Sequence, residues 1–354
     1  MITIDGSYGE GGGQILRTSL AISSVLGQEL EIVNIRARRK KSGLMPQHLT
    51  ACRAVADITE GKLEGAQLES TKLRYFPKVA QPGRYRFDVS QVKSSAGSTG
   101  MIFQTILPVL ALAQGSSEVT LLGGTHTPWS PPIDYLQEVF LLAIARLGFR
   151  AQLSCERWGW YPRGGGVVRG RVEPARRVSG CDFSERGSRL SLLGLSVVSR
   201  LPLSIAQRQR DQALRGLHRE GLSADIEVSE VPSVAPGTFI ILLARFEKIT
   251  AGFSALGRRG KPAETVADEA VAEMLAYLRA PGAVDPHLAD QLVLYMTLAH
   301  GVSRLTTTSI SGHLLTNVWV LEQFLPGRLT VEGNEGEAGA VVVKGIGLPG
   351  DRAA

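Results

Sequence analysis

A helix, a short strand and a second helix recur three times along these 354 residues, at unequal intervals. In the first occurrence, Gly11-Gly12-Gly13 leads into a helix from Gln14 to Leu26. Its apolar face carries Ile15, Leu16, Leu20, Ile22 and Leu26, and Gly27 supplies the stop. A strand over Leu30 to Ile35 and a helix from Pro46 to Thr59 follow. In the second, Gly97-Ser98-Thr99-Gly100 opens a helix to Gln114, a strand runs Val119 to Leu122, and Pro131-Pro132 begins a helix ending at Gly148. The third has a helix from Pro286 to Ala299, a strand from Arg304 to Thr308 and a helix from Gly312 to Leu325. Proline opens two of the second helices, where its missing N–H costs no hydrogen bond.

The first two units begin about 85 residues apart and the last two nearly 190, whereas a tandem repeat spaces its units evenly. The surplus of about 100 residues predicts an inserted module. Its expected extent is Ser179 to Arg279, with strands at Leu190 to Val198, Ala224 to Val231 and Gly237 to Phe246. Two amphipathic helices, Ser204 to Glu220 and Pro262 to Leu278, complete it. The fold class expected is α/β: three repeated sheet-plus-two-helix units form one large domain from 1–178 and 280–345. A small α/β domain interrupts it at 179–279, and 346–354 form a tail.

Composition narrows the function classes. A hydrophobic fraction of 44% with 20% charged residues excludes disordered and low-complexity chains. The longest apolar run, Met101 to Ala113, is broken by Gln104 and Pro108 and falls short of the roughly 18 residues a membrane span needs. No basic segment precedes an apolar run at the N-terminus, so a soluble, cytoplasmic protein is expected. Cys52, Cys155 and Cys181 are widely spaced with no Cys-x-x-Cys, which argues against a disulfide framework or a zinc site. A net charge of 39 − 33 = +6 leans towards anionic partners. Forty glycines, about 11% against a usual ~7%, call for tight turns or ligand loops.

Four segments can carry chemistry. Gly9-Glu10-Gly11-Gly12-Gly13-Gln14-Ile15-Leu16-Arg17 places a glycine loop at a helix start, where free N–H groups and the helix dipole favour an anion. No Gly-Lys-Ser/Thr follows, so it is not a Walker A loop. Glu10 offers an oxygen ligand for Mg²⁺, although a tight turn with a solvated glutamate has the same spacing. Arg36-Ala37-Arg38-Arg39-Lys40-Lys41 sets five cations in six residues after a strand, which suits a phosphate backbone or a solvated surface. Gly123 to Pro132 is a stiff loop at a strand exit, where Trp129 and the prolines offer flat surfaces to a base or simply a rigid connector. In Ser311-Gly312-His313-Leu314-Leu315-Thr316-Asn317 a histidine stands at a helix start. An imidazole of ordinary pKa about 6.5 is mostly neutral at pH 7 and can attack phosphorus, but a histidine there can also be inert.

Taken together, these blocks make the chain resemble RNA 3′-terminal phosphate cyclases. The resemblance rests on Asp5-Gly6 with the Gly9 to Arg17 segment, Arg36-Ala37 with Arg39, and Gly43-Leu44 with Gln47-His48-Leu49. It continues through Ser95-Ala96-Gly97-Ser98 with Gln104, Gly123-Gly124-Thr125, Tyr161-Pro162-Arg163-Gly164-Gly165-Gly166 and Ala289-Asp290-Gln291-Leu292. The last block is His313 to Asn317 with Phe324-Leu325-Pro326.

The resemblance implies an ATP-dependent enzyme that turns an RNA 3′-phosphate into a 2′,3′-cyclic phosphodiester, with Mg²⁺ or Mn²⁺. It implies His313 as the AMP-accepting nucleophile, Arg17 and Arg39 as catalytic cations and Glu10 as the metal-associated carboxylate. Arg36, Arg39, Gln47 and His48 match the RNA- and phosphate-binding positions. Gln104 and His287-Leu288-Ala289-Asp290-Gln291 match the nucleotide-binding ones, with Pro131 facing the adenine from the other side. His287 departs from the tyrosine of family members and offers adenine a smaller stacking face. A non-catalytic RNA-binding branch serving ribosome assembly lacks the histidine, so His313 favours the enzyme. An enolpyruvyl transferase, the third reading, shares only the repeat architecture and not the histidine or Arg36 to His48 blocks.

Overall fold

Each repeated unit proves larger than a helix–strand–helix. The structure, a computed structural model, describes residues 1–91 and 96–347; Ser95 and residues 348–354 of the expected tail lie outside them. The first unit runs β1 (Ile2–Asp5), α1 (Gly13–Leu26), β2 (Leu30–Val33), α2 (Pro46–Thr59), β3 (Lys62–Glu64) and β4 (Leu73–Phe76). The second runs β5 (Arg84–Asp88), α3 (Thr99–Leu110), β6 (Ser117–Gly123), a helix α4 over 133–147, β7 (Ala151–Arg157) and β8 (Gly166–Val172). A π turn at Leu136–Phe140 interrupts α4.

After β9 (Asp182–Phe183) the chain forms β10 (Arg189–Ser199), α5 (Leu203–Arg219), β11 (Asp225–Glu230), β12 (Gly237–Phe246), β13 (Thr250–Leu256) and α6 (Ala263–Arg279). It then returns through α7 (Pro286–Leu298), β14 (His300–Thr307), α8 (Gly312–Phe324), β15 (Leu329–Glu332) and β16 (Gly339–Ile346).

Three sheets share one topology, β1-β2-β4-β3, β5-β6-β8-β7 and β9-β14-β16-β15. In each, the first pair is parallel and the others antiparallel. The repeat is therefore a βαβαββ unit. The leading strands and closing hairpins escape sequence reading because several hold only two to four residues, too few for a period-2 pattern. β9 lies inside the span 179–279 yet pairs with β14 in the third sheet. The fourth sheet, β11-β10-β12-β13, begins after it.

Helix α3 ends at Leu110 rather than Gln114, because the Ala111 carbonyl accepts the Ala175 N–H at 2.8 Å instead of continuing the helical ladder. Helix α4 starts after Pro132, which stays extended at φ −67°, ψ 158°.

Helix α1 packs on α2, α3 and α8, and α7 packs on α4 and α8. One continuous core runs through all three units, filled by Phe103, Phe140, Phe149 and Tyr295. Strand β12 joins that core to a second one. Phe239, Ile241 and Leu243 face the three-unit body, while Ile240, Leu242 and Ala244 face α5 and α6. Strict alternation buries both faces, so the strand reads as a continuous apolar run.

The fourth sheet docks through Trp160, whose indole N–H donates to Ser199 Oγ at 2.6 Å. A Cβ on Gly237 would sit 2.2 Å from that ring. Gly237→Ala is expected to destabilise the protein by about 1–3 kcal/mol through overpacking, read by urea unfolding. A variant as stable as the parent would show that the two bodies separate more easily than this contact implies.

Candidate active site

A cavity of about 450 Å³ opens where the first helices of the three units meet. Each helix gives it one stripe: Gln14, Arg17, Thr18 and Ala21 from α1; Met101, Gln104 and Thr105 from α3; His287, Asp290, Gln291 and Leu294 from α7. The i, i+3, i+4 spacing is that of a single helical face. His313 and Asn317 of α8 join them, and Phe239, Ser254, Leu256 and Glu273 of the fourth sheet and α6 form a further wall. The ends of α3, α7 and α8 that face it are capped by Ser98, Asp285 and Ser311 side chains accepting first-turn N–H groups.

His313 sits in the first turn of α8, half-exposed to the cavity. Its Nδ1 is held by Gln14 Oε1, and Gln14 Nε2 donates to the His313 carbonyl at 2.9 Å. An amide oxygen only accepts, so the ring proton belongs on Nδ1 and the Nε2 lone pair is free. Nε2 lies 3.4 Å from Glu10 Oε2. Burial draws the His313 pKa below its ordinary 6.5; Glu10 opposes this, and Arg17, His287 and Arg39 reinforce it. The imidazole is thus neutral near pH 7, with its lone pair beside the positive end of a helix.

Glu10 reaches this position on a glycine loop. Gly9 is left-handed at φ 53°, and a Cβ there would strike Thr316 Oγ1 at 2.7 Å. Glu10 Oε2 is also 3.3 Å from the Arg39 guanidinium. Gly13 gives room to His48, whose Nε2 would be 2.3 Å from any Cβ. His48 is buried, accepts the Met45 N–H on Nδ1 at 3.2 Å, and has its pKa pushed down to about 3 by burial and by Arg36 and Arg17. It is neutral and supports α1 from below.

Arg17 is lowered by burial to about 10 and still carries its charge at pH 7; Asp290 acts against that lowering. Burial raises Asp290 to about 7, against the pull of His287 and Arg17. Gln104 donates to Gln291 across α3 and α7 at 2.8 Å. Gln47 accepts the Ser98 N–H at 2.7 Å, which orders the start of α3. Arg36 turns back to the Gly43 carbonyl at 3.2 Å.

Arg17, Gln104, Pro131, His287, Asp290, Gln291 and His313 therefore line one cavity, with Glu10 and Arg39 beside His313. Leu288 and Ala289 point away from it into the core, fully buried. Sequence reasoning assigned no role to Gln14, Thr18 or Asn317. Thr18 donates to Asn317 Oδ1, and Asn317 Nδ2 donates to the Asp290 carbonyl, both at 2.9 Å. Their signal is the helical spacing, Gln14 with Arg17 and Thr18, and Asn317 four residues after His313. Among the described residues, no three His, Cys, Asp or Glu side chains gather as a metal site. A single carboxylate such as Glu10 would fit only a Mg²⁺ ion that draws most of its oxygen ligands from outside the protein.

Comparison with known proteins bears on the family of the chain. The family model for RNA 3′-terminal phosphate cyclase matches residues 8–331. A protein of that name from Pyrobaculum neutrophilum is 43% identical over 350 residues, covering 98% of this chain and 99% of the relative. One from Methylococcus capsulatus is 43% identical over 349 residues, covering 98% and 97%. The enolpyruvyl transferase NikO from Streptomyces tendae aligns with 49% of this chain and 33% of its own, at 14% identity and a TM-score of 0.28, too slight a likeness to argue from.

The electrostatics predict an NMR titration. His313 should titrate with a midpoint below 6.5, and Glu10→Gln should lower it further by removing the carboxylate that favours the imidazolium. A midpoint above 6.5, or an upward move in the variant, would contradict a neutral imidazole at this position.

Proposed function

The chain belongs to the RNA 3′-terminal phosphate cyclase family, and we propose on that premise that it converts an RNA 3′-phosphate into a 2′,3′-cyclic phosphodiester at the expense of ATP. The observation that supports this most is the His313 imidazole, neutral, proton on Nδ1, with its Nε2 lone pair beside Glu10 at a helix N-terminus. In the first step Nε2 attacks the α-phosphorus of ATP, the bond to pyrophosphate breaks, and a phosphoramidate to AMP forms. In the second, an oxygen of the RNA 3′-phosphate attacks that phosphorus and the N–P bond breaks. His313 is freed and the RNA end becomes RNA–pp–A. In the third, the neighbouring 2′-OH attacks the activated phosphorus, its proton passes to solvent, the P–O bond to AMP breaks, and AMP leaves.

Each step answers a chemical need. A phosphate monoester has no good leaving group, and adenylylation supplies one. The 2′-OH is already beside the phosphorus, so closure is intramolecular, a regime where effective molarities reach ~10⁵–10⁸ M. Arg17 and Arg39 offset charge developing on the phosphates. Gln14 keeps the nucleophilic nitrogen unprotonated and aimed.

For the nucleotide, the adenine lies between Pro131 and His287, and Gln104, Asp290 and Gln291 hold the nucleoside from α3 and α7. Arg36 and Arg39 receive the RNA phosphate, with Gln47 and His48 ordering the loops behind them. Glu10 is the residue that would hold a divalent cation, Mg²⁺ or Mn²⁺, whose charge would screen the triphosphate. The enzyme acts in the cytoplasm in this reading. No helix among the described residues is long and apolar enough to cross a membrane.

Incubation with α-labelled ATP and Mg²⁺ or Mn²⁺ tests the proposal. Labelled protein that is acid-labile and alkali-stable, and absent from His313→Ala, is expected. Gln14→Ala should slow adduct formation by roughly 10- to 100-fold, since it frees the imidazole to adopt the other tautomer and orientation. Absence of any adduct from folded protein with either metal overturns the reading.

A further inference from the structure

Two loops at one end of the second sheet expose aromatic rings that the core does not use. Residues 124–132 leave β6, and residues 158–165 join β7 to β8. The loops are tied together: Thr125 and His126 N–H groups donate to the Gly159 carbonyl at 2.9 and 3.2 Å. The Gly159 N–H donates to Thr125 Oγ1 at 2.9 Å, and the His126 ring stacks on Trp158 with centroids 3.7 Å apart. The first loop is further stiffened by His126 Nε2 and Asp134 Oδ2 at 2.6 Å, and by the Thr127 and Ser130 hydroxyls at 2.7 Å.

From this frame Trp129 stands 92% exposed and Tyr161 64% exposed. Trp129 also adopts φ 59°, a left-handed backbone that a bulky residue takes only when its surroundings over-determine it. Tyr8, the remaining exposed Tyr or Trp among the described residues, has one face covered by Trp319 at 3.8 Å. Trp129 borders the cavity mouth beside Pro131, and Arg163 is exposed two residues beyond Tyr161.

We propose that Trp129 and Tyr161 are a stacking platform for the last unpaired bases of the RNA whose 3′-phosphate reaches His313, with Arg163 against its backbone. This rests on the cyclase function proposed above. Flat exposed rings accept the π-face of any base, and a nearby cation tracks the phosphates, which is how single strands are held without sequence preference. Trp129 stays 92% exposed although it borders the cavity, and Tyr161 is not among the residues that line it, so neither ring is enclosed as a small nucleotide in the cavity would be.

The test uses a 5′-labelled single-stranded oligoribonucleotide ending in a 3′-phosphate. Trp129→Ala and Tyr161→Ala are expected to raise the RNA KM roughly 5- to 100-fold, with Phe at either position recovering most of it. The ATP KM for RNA-free adenylylation of His313 should move far less. Arg163→Gln should flatten the slope of log affinity against log salt by about 0.7. A blunt duplex end, which cannot splay its bases, should lose least in Trp129→Ala. An unchanged RNA KM in both alanine variants, or an ATP KM shifting by the same factor, overturns the platform. Failure of the parent protein to adenylylate without RNA overturns instead the function it rests on.

Discussion

Helices α1 and α8 come from opposite ends of the chain, and their side-by-side packing is the contact on which the candidate site depends. Across that seam Gln14 holds both the ring and the carbonyl of His313, residues separated by 299 positions. One turn further in, Thr18 donates to Asn317 at the same separation, and Asn317 in turn holds the Asp290 carbonyl of α7. The Thr18–Asn317 bond is buried and the others are partly so; a buried partner left unpaired costs about 1–3 kcal/mol, so the register of the two helices is strongly specified. Tautomer and aim of the His313 imidazole are consequences of that register.

The electrostatics follow from the same crowding. Three groups of the site are shifted by desolvation first and by neighbours second: Arg17 downwards, Asp290 upwards and His313 downwards. Arg17 keeps its charge at neutral pH despite the shift, while His313 loses its own. In the proposed reaction, an arginine that stays cationic next to a histidine that stays neutral would divide the work of binding phosphate and attacking it. Glycines make this density possible. At Gly9 and Gly13 a single methyl group would collide with Thr316 or His48, so the loop and helix can approach only because no side chain is present.

The fourth sheet is more than an appendage to the three units. Strand β12 is shared between two cores by alternation, and Phe239 on its inner side reaches the cavity with Ser254 and Leu256 of β13. Trp158 and Trp160 of the second unit pack against Phe239 and Ser199. The wall of the cavity is thereby fixed to the loop that carries Pro131, through His126 stacked between these groups.

What the amino-acid sequence determined by itself is local. Helical periodicity, glycine stops and first-turn prolines placed α1, α2, α7 and α8 to within a residue or two, and the uneven spacing of the units announced extra chain between the second and third. Short motifs marked Glu10 and His313 as chemically loaded, and the family resemblance added Arg17 and Asp290. The short strands β1, β3, β4, β9 and β15 stayed hidden, because strands of two to four residues are specified by their partners in the sheet and not by their own pattern. Tertiary structure alone decided that Gln14 meets His313, that Leu288 and Ala289 face the core while Asp290 faces the cavity, and that His48 is buried and neutral. Proximity between distant segments and the burial that shifts a pKa are properties of packing, and no single stretch of sequence contains them.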